Sequence, residues 1–235
     1  MKKLLQLCKT GGSDAAAQVP QLVQEGAKVD GLCKLTELTP LCTAAANGHD
    51  DVVLALLNAG AKVNLKTSEN GMSALHYATQ KGHKSTVELL LTTPCRWGAR
   101  SPVGSNWSLR TPFAKTGADA NAMDYENQSV LLFAAACGRK EIAEVLIAAG
   151  ARVDARDQKQ NTPLLMASEY GHDDVVELLA QHGADVNAKD GANLNTPLHR
   201  AASSRLGRRL TPATRGKRRR FIWCRIALLL SPPSC

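Results

Sequence analysis

The residues of this chain best equipped for chemistry are its six histidines, because imidazole can ligate a metal or move a proton near neutral pH. Their spacing argues against both roles. His49, His83 and His172 each follow a glycine, and His76 and His199 each stand fourth in a slot reading Ser-Ala-Leu-His or Thr-Pro-Leu-His. A metal centre or a general base needs partners that converge on one point, whereas residues returning at a fixed interval are strung out along the fold. Nor does the chain contain H-E-x-x-H, G-x-S-x-G, G-x-x-x-x-G-K-[ST] or G-x-G-x-x-G, the spacings that build a zinc site, a nucleophile elbow or a phosphate cradle. We therefore expect no catalytic residue, no cofactor and no metal, and the interval itself becomes the feature to explain.

Stepping outward from the histidines, the slot recurs as Thr39-Pro40-Leu41, Ser73-Ala74-Leu75, Ser129-Val130-Leu131, Thr162-Pro163-Leu164 and Thr196-Pro197-Leu198, at steps of 34, 56, 33 and 34 residues. Three of the four steps match a unit of roughly 33 residues, and the fourth is one unit plus an insertion. Other marks keep the same register. Gly48-His49, Gly82-His83 and Gly171-His172 follow the slot, with Gly138-Arg139 the variant. Apolar runs come next, such as Val52-Val53 with Leu56-Leu57 and Val175-Val176 with Leu178-Leu179. Then Gly60-Ala61, Gly117-Ala118, Gly150-Ala151 and Gly183-Ala184 lead into Asn or Asp at 64, 121, 154 and 187.

Each mark has a physical reason. Proline is tolerated in a first helical turn, where its missing N–H would be unpaired anyway, and the preceding Thr can cap that turn. A first helix therefore starts at Pro40, Pro163 or Pro197 and runs through small residues such as Ala44-Ala45-Ala46 to a terminating glycine. The apolar runs repeat at about 3.6 residues and predict a second helix with one buried stripe. Together these marks closely resemble the ankyrin repeat, whose signature includes T-P-L-H-x-A. The resemblance implies an all-α solenoid of stacked antiparallel helix pairs with β-turn fingers. It also implies that histidines in these slots tie a turn or helix end to a neighbouring repeat by hydrogen bonds, a link placed in doubt where Cys42, Leu132 and Leu165 replace the fourth-place histidine.

Register divides the chain into a degenerate N-terminal capping repeat at 1–30, a repeat at 31–64, a repeat with an insertion at 65–121, repeats at 122–154 and 155–187, an incomplete repeat at 188–203, and a basic, then apolar tail at 204–235. Pro20 lies where the second helix of the first unit belongs, so that helix should start late or kink. The insertion, about 93–115, carries Trp97 and Trp107, four basic side chains and no acid. It reads either as a binding loop or as a coding segment foreign to the fold; Pro94, Pro102 and Pro112 preclude much helix there. The tail holds Arg215-Gly216-Lys217-Arg218-Arg219-Arg220 and then a run from Phe221 to Leu230, too short to span a bilayer. That run reads either as a helix covering the end of the stack or as sequence from a shifted frame or alternative exon.

The formal charge of +8 is concentrated at one end. Residues 191–235 hold ten Lys and Arg and no acid, leaving 19 bases against 21 acids in the rest. Nucleic-acid association or nuclear import would therefore rest on the tail alone. The seven cysteines show no C-x-x-C pairing, and reduced thiols in a cytoplasmic protein, with the nucleus as a second compartment, are the simplest expectation. The apolar run after Met1 is too short, and too broken by Gln6 and Lys9, to act as a signal peptide.

The resemblance implies recognition of a protein partner by a monomeric scaffold or adaptor, through the fingers and inner helix faces of a concave surface. Carried over repeat by repeat, the partner-facing positions are Leu38 and Asn47; Met72, Gln80 and Lys81; Tyr125, Glu126 and Gln128; Gln158, Lys159, Asn161, Glu169 and Tyr170. Tyr125 and Tyr170 are the expected anchors, unless each ring lies along its own helix. Two alternatives stand beside this reading: an ankyrin fragment of a larger signalling or ubiquitin-pathway protein, and nucleic-acid association through the basic tail.

Overall fold

Every Thr-Pro-Leu slot starts a helix in the computed structural model of the chain, and the cap geometry shows how. Thr39 is extended, at φ −77°, and its Oγ1 accepts the Cys42 N–H at 3.1 Å. Ser129 and Thr162 do the same for the N–H groups of Leu132 (3.2 Å) and Leu165 (3.3 Å). Such caps contribute typically ~1 kcal/mol each. Where the fourth residue is histidine, the ring joins the cap: His76 Nδ1 accepts the Ser73 N–H at 3.2 Å, and His199 Nδ1 accepts that of Thr196 at 3.4 Å. Cys42, Leu132 and Leu165 thus forgo the ring and keep the hydroxyl cap.

The structure describes residues 2–32, 37–92 and 117–207; segment 93–115, with Trp97 and Trp107, and the tail beyond 207 lie outside the described residues. Among the described residues there are eleven helices and no strand. They form two compact units, Met1–Glu126 and Asn127–Cys235. The first contains α1 (Lys2–Thr10), α2 (Ser13–Gln24), α3 (Pro40–Asn47), α4 (Asp50–Asn58), α5 (Ala74–Lys81) and α6 (Lys84–Thr92). Here α1, α3 and α5 make one layer and α2, α4 and α6 the other, each helix packing on its pair-mate and on the next in its layer. The second unit contains α7 (Val130–Ala136), α8 (Lys140–Ala148), α9 (Pro163–Tyr170), α10 (Asp173–Gln181) and α11 (Pro197–Gly207). Its layers are α7, α9 and α11 against α8 and α10.

Most of the positions that the periodicity singles out are buried, whereas Leu57 is half-buried. Val52, Val53 and Leu56 on α4, Ile142, Ala143 and Leu146 on α8, and Val175, Val176 and Leu179 on α10 are all buried, each large side chain contributing about 1.5–3 kcal/mol by leaving water. The first-layer helices bury alanines, such as Ala44, Ala45, Ala134 and Ala135, so neighbouring backbones approach closely. At the N-terminal end α2 does not start late at Pro20 but runs from Ser13 to Gln24 with the proline inside it. Cys8 and Cys42 are buried, and desolvation pushes the Cys8 thiol up to about 12 and the Cys42 thiol upward as well, which suits unreactive packing thiols.

Successive repeats are held by two recurring hydrogen bonds. His49 Nε2 donates to the Lys9 carbonyl (3.0 Å), His83 Nε2 to that of Ala46 (3.1 Å) and His172 Nε2 to that of Ala136 (3.0 Å). A carbonyl can only accept, so Nε2 carries the proton. In each case the ring lies against the glycine of the preceding repeat: a Cβ built on Gly48 would stand 2.5 Å from His83 Nδ1, and one on Gly138 2.4 Å from His172 Nδ1. The second bond closes the opposite side. Asp30 Oδ1 accepts the Lys62 N–H at 2.9 Å, Asn64 Oδ1 that of Asp119 at 2.9 Å, and Asp154 Oδ1 that of Asp185 at 3.1 Å.

The Asn64–Asp119 bond bears directly on the insertion, because it links residues on either side of 93–115 as its counterparts link contiguous chain. So does the bond from Ala118 N–H to the Leu90 carbonyl (2.8 Å), the counterpart of Ala61 to Leu56 (3.0 Å) and Ala151 to Leu146 (2.9 Å). Both bonds remain available once the segment is gone. Deleting 93–115 is therefore expected to leave the thermal midpoint equal or higher; a fall of more than a few degrees in a melting curve would mean that the segment packs on the stack.

Candidate functional site

The fingers between helix pairs are built on short side chains that satisfy a tight loop from within. In one, Thr67 N–H donates to the Met72 carbonyl (2.9 Å), while Asn70 Oδ1 accepts from Thr67 Oγ1 (2.7 Å) and from Met72 N–H (3.1 Å). Asp157 plays the corresponding part in the second unit, taking the Asn161 backbone N–H at 2.7 Å and its side-chain amide at 2.8 Å. Asp190 follows, with Oδ1 accepting the N–H groups of Asn193 and Asn195, both at 3.0 Å. Two residues before every slot the backbone is left-handed, at Glu37 (φ 49°), Gly71 (72°), Asn127 (59°), Gln160 (61°) and Leu194 (56°). Side chains other than Gly and Asn pay ~1–2 kcal/mol for that conformation, so the fingers hold a shape their own residues do not all prefer.

Tyr125 stands on this support in the first unit. Its N–H donates to the Asn70 carbonyl at 3.1 Å, and its ring lies over Gly71, where a Cβ would meet Tyr125 Cδ1 at 2.6 Å. The side chain remains 55% exposed. In the second unit Tyr170 ends α9, just before Gly171 turns the chain at φ 75°; its ring centroid is 6.4 Å from that of His172, and it is 43% exposed. Neither ring is buried along its own helix.

The other expected partner-facing residues divide by their surroundings. Asn47, Gln80, Lys81, Glu126, Gln158 and Lys159 are exposed, and Leu38 and Gln128 are half-buried. Asn47 Nδ2 is committed to the Thr43 carbonyl at 2.8 Å. Met72 and Asn161 are buried and offer little side-chain surface, because the finger closes over the first and Asp157 binds the second. Glu169 is half-buried and ion-paired to Arg200.

Arg200 is the residue that sequence reasoning missed. From the first turn of α11 its guanidinium reaches Asp190 Oδ2 through Nη2 (2.8 Å) and Nε (3.1 Å), Asn161 Oδ1 through Nη2 (2.7 Å), and Glu169 through Nη1. The signal available was type, since the same place in the other slots holds Thr43, Tyr77, Phe133 or Met166. The cleft around this cluster, about 320 Å³, is lined by Glu169, Asp190, Asn193, Asn195 and Arg200 among others. With most of its donors engaged, the guanidinium pins two fingers to a helix end. Among the described residues no group of three or more His, Cys, Asp or Glu is placed to hold a metal ion, and no helix is long and apolar enough to cross a membrane.

Stacked helix pairs, hydrogen-bonded fingers and ring-on-glycine contacts between repeats define a helical repeat protein. The family model described as ankyrin repeats (3 copies) matches residues 4–100 and 108–190. The chain belongs to the ankyrin repeat family. Similar stretches occur in much longer proteins: 45% identity over 56 residues with the transient receptor potential cation channel subfamily A member 1 of Homo sapiens, 44% over 57 residues with the probable E3 ubiquitin-protein ligase XBOS33 of Oryza sativa subsp. japonica, and 35% over 85 residues with the ankyrin repeat protein nuc-2 of Neurospora crassa. These matches take in 24%, 24% and 34% of this chain but 5%, 11% and 8% of the respective relatives.

The Arg200 cluster makes the last described finger sensitive to acid. Burial pushes the Asp190 carboxyl upward, but hydrogen bonds from Arg200, Asn193 and Asn195 and the Arg200 charge outweigh it and lower it from 3.8 to about 2. A carboxylate held below its unfolded value stabilises the fold above that value and loses the contribution as pH falls through the folded one. Asp190→Asn is expected to cost about 2 kcal/mol at pH 7, with the gap to the parent in urea unfolding narrowing as pH falls from about 4 towards 2. An unchanged gap at pH 3 would remove the carboxylate from the account.

Proposed function

We propose that this chain is a protein-interaction scaffold or adaptor, binding a protein partner through its fingers and the exposed ends of its first-layer helices. Ankyrin repeats are generally protein-interaction modules, and the observation that carries the reading here is the setting of Tyr125. An aromatic ring more than half exposed, seated on a neighbouring finger and fixed by its own backbone hydrogen bond, loses little freedom when a partner covers it. Rings of this kind dominate interface energies once buried. Gln80 and Lys81 in the first unit, and Gln158, Lys159 and Tyr170 in the second, supply polar and aromatic contacts on their own units. The repeat boundaries set out above, a monomeric state and a cytoplasmic location belong to the same proposal, as does the absence of catalysis.

A second reading is favoured by the 44% identity with a probable E3 ubiquitin-protein ligase and by how little of each relative the chain spans. In it, the repeats recruit a target for a catalytic or linking domain encoded elsewhere in a longer ubiquitin-pathway or signalling protein. A full-length transcript distinguishes the two.

Tyr125→Ala and Tyr170→Ala are each expected to weaken binding of a protein captured on the full chain by about 1 to 3 kcal/mol, read by titration calorimetry, with unchanged thermal midpoints. Glu144→Ala is the control; it removes only the exposed pair with Lys140 on α8. If both tyrosine variants bind like the parent while removal of 204–235 from the full chain abolishes binding in a steeply salt-dependent way, the basic tail is the interaction site.

A further inference from the structure

The cleft beside Arg200 lies within the second unit, where the end of α9, the last described finger and α11 meet, and the charges of its lining do not balance. Glu169 and Asp190 bring two carboxylates against the one guanidinium of Arg200, a net of −1. The three groups differ in what they have left to offer. Asp190 is spent: it is buried, its Oδ1 holds the backbone N–H groups of Asn193 and Asn195, and its Oδ2 holds Arg200. Arg200 is nearly spent, because Nε and Nη2 are taken by Asp190 and Asn161 and Nη1 gives one of its N–H groups to Glu169. Glu169 is the exception. Its side chain is 44% exposed, and among the described residues it is bonded through Oε2 alone, which leaves Oε1 to accept. Asn193 and Asn195 line the cleft as well, and among the described residues their hydrogen bonds are made by the backbone, so both side-chain amides are available.

A second observation lies on the same finger. Leu194, between the two asparagines, is 65% exposed and left-handed at φ 56°. Glycine or asparagine suits that backbone better, and an apolar side chain gains nothing from facing water. Strain of this kind persists at ligand clamps, where the surrounding structure holds it in place. We propose that the cleft takes a lysine or arginine side chain of the protein partner, its cation on Glu169 Oε1 and the asparagine amide oxygens, with Leu194 against the apolar residues flanking it. The proposal rests on the scaffold reading and names the chemistry of the partner at the second unit. Charge selects the cation. A carboxylate or phosphate would find a single N–H of Arg200 with two carboxylates beside it, whereas an ammonium or guanidinium meets an unshared carboxylate oxygen and uncharged acceptors. Such complementarity chiefly confers specificity, and the bonds to Asp190 fix the finger before binding, so little order has to be gained.

Chemical-shift titration of the full chain with two probes, acetyl-Leu-Lys-Leu-amide and acetyl-Leu-Glu-Leu-amide, tests this. The lysine peptide is expected to shift the side-chain amides of Asn193 and Asn195 saturably, and the glutamate peptide is not. Glu169→Gln should weaken the lysine peptide at least fivefold. Asn193→Lys, which alters a side chain not bonded to the finger and sets an ammonium at the cleft, should abolish the shift at Asn195. Leu194→Asn should raise the thermal midpoint while weakening the same peptide, opposite signs that a merely structural leucine would not give. Absent shifts, equal shifts with both peptides, or unchanged affinity for the lysine peptide in Glu169→Gln and Asn193→Lys overturns the proposal. Because Tyr125 belongs to the other unit, such a result beside an intact Tyr125→Ala effect on the captured protein overturns the cleft assignment alone and leaves the scaffold reading standing.

Discussion

The contact between a histidine ring and the glycine of the preceding repeat is the interaction on which the rest of this structure depends. One helix pair cannot bury both its faces, so a repeat is stable only through its neighbours. Stacking must therefore be in register, and the ring-on-glycine contact supplies register in a single feature. The glycine turns the chain between two helices in the left-handed region and leaves room for the next ring; that ring's Nε2–H reaches a carbonyl two residues before the same glycine. It occurs at Gly11 with His49, Gly48 with His83 and Gly138 with His172. Apolar burial supplies most of the energy, and this contact decides which surfaces meet.

Much of the fold was legible because repetition turns weak local signals into a strong one. A lone Thr-Pro-Leu means little, but five slots in step, with glycines and apolar runs at matching offsets, define α3 to α11 and the glycine turns that end the first-layer helices. Single positions were less legible. The left-handed residue before each slot is a glycine only at Gly71; Glu37, Gln160 and Leu194 adopt it because the finger closes around them, and nothing in their types announces it. Pro20 lies in the interior of α2, a place that proline seldom takes in a helix. At the candidate surface, Asn161 and Glu169 occupy places that would face a partner, yet Arg200 on the next repeat engages both. That pairing depends on one substitution in one repeat and so has no periodic signature.

A stack fixed in this way suits recognition, since stiffness at the contact surface limits the ordering that binding must overcome. Hydrogen bonds internal to each finger leave its outward side chains to vary without disturbing the loop. Tyr125 illustrates the division of labour: its backbone ties two fingers together while more than half of the residue stays exposed. Five of the six histidines that first suggested chemistry make contacts of the frame, three between repeats and two in helix caps.

The claim that each Gly-His pair is one interaction shared by two repeats is tested most directly by a double-mutant cycle on Gly48→Ala and His83→Ala, read by urea unfolding. The added Cβ collides with the ring only when the ring is present, so the cost of Gly48→Ala should drop by about 1 kcal/mol or more in the His83→Ala background, within the range seen for residues in contact. Additivity to within about 0.5 kcal/mol, as found for independent sites, would contradict the account.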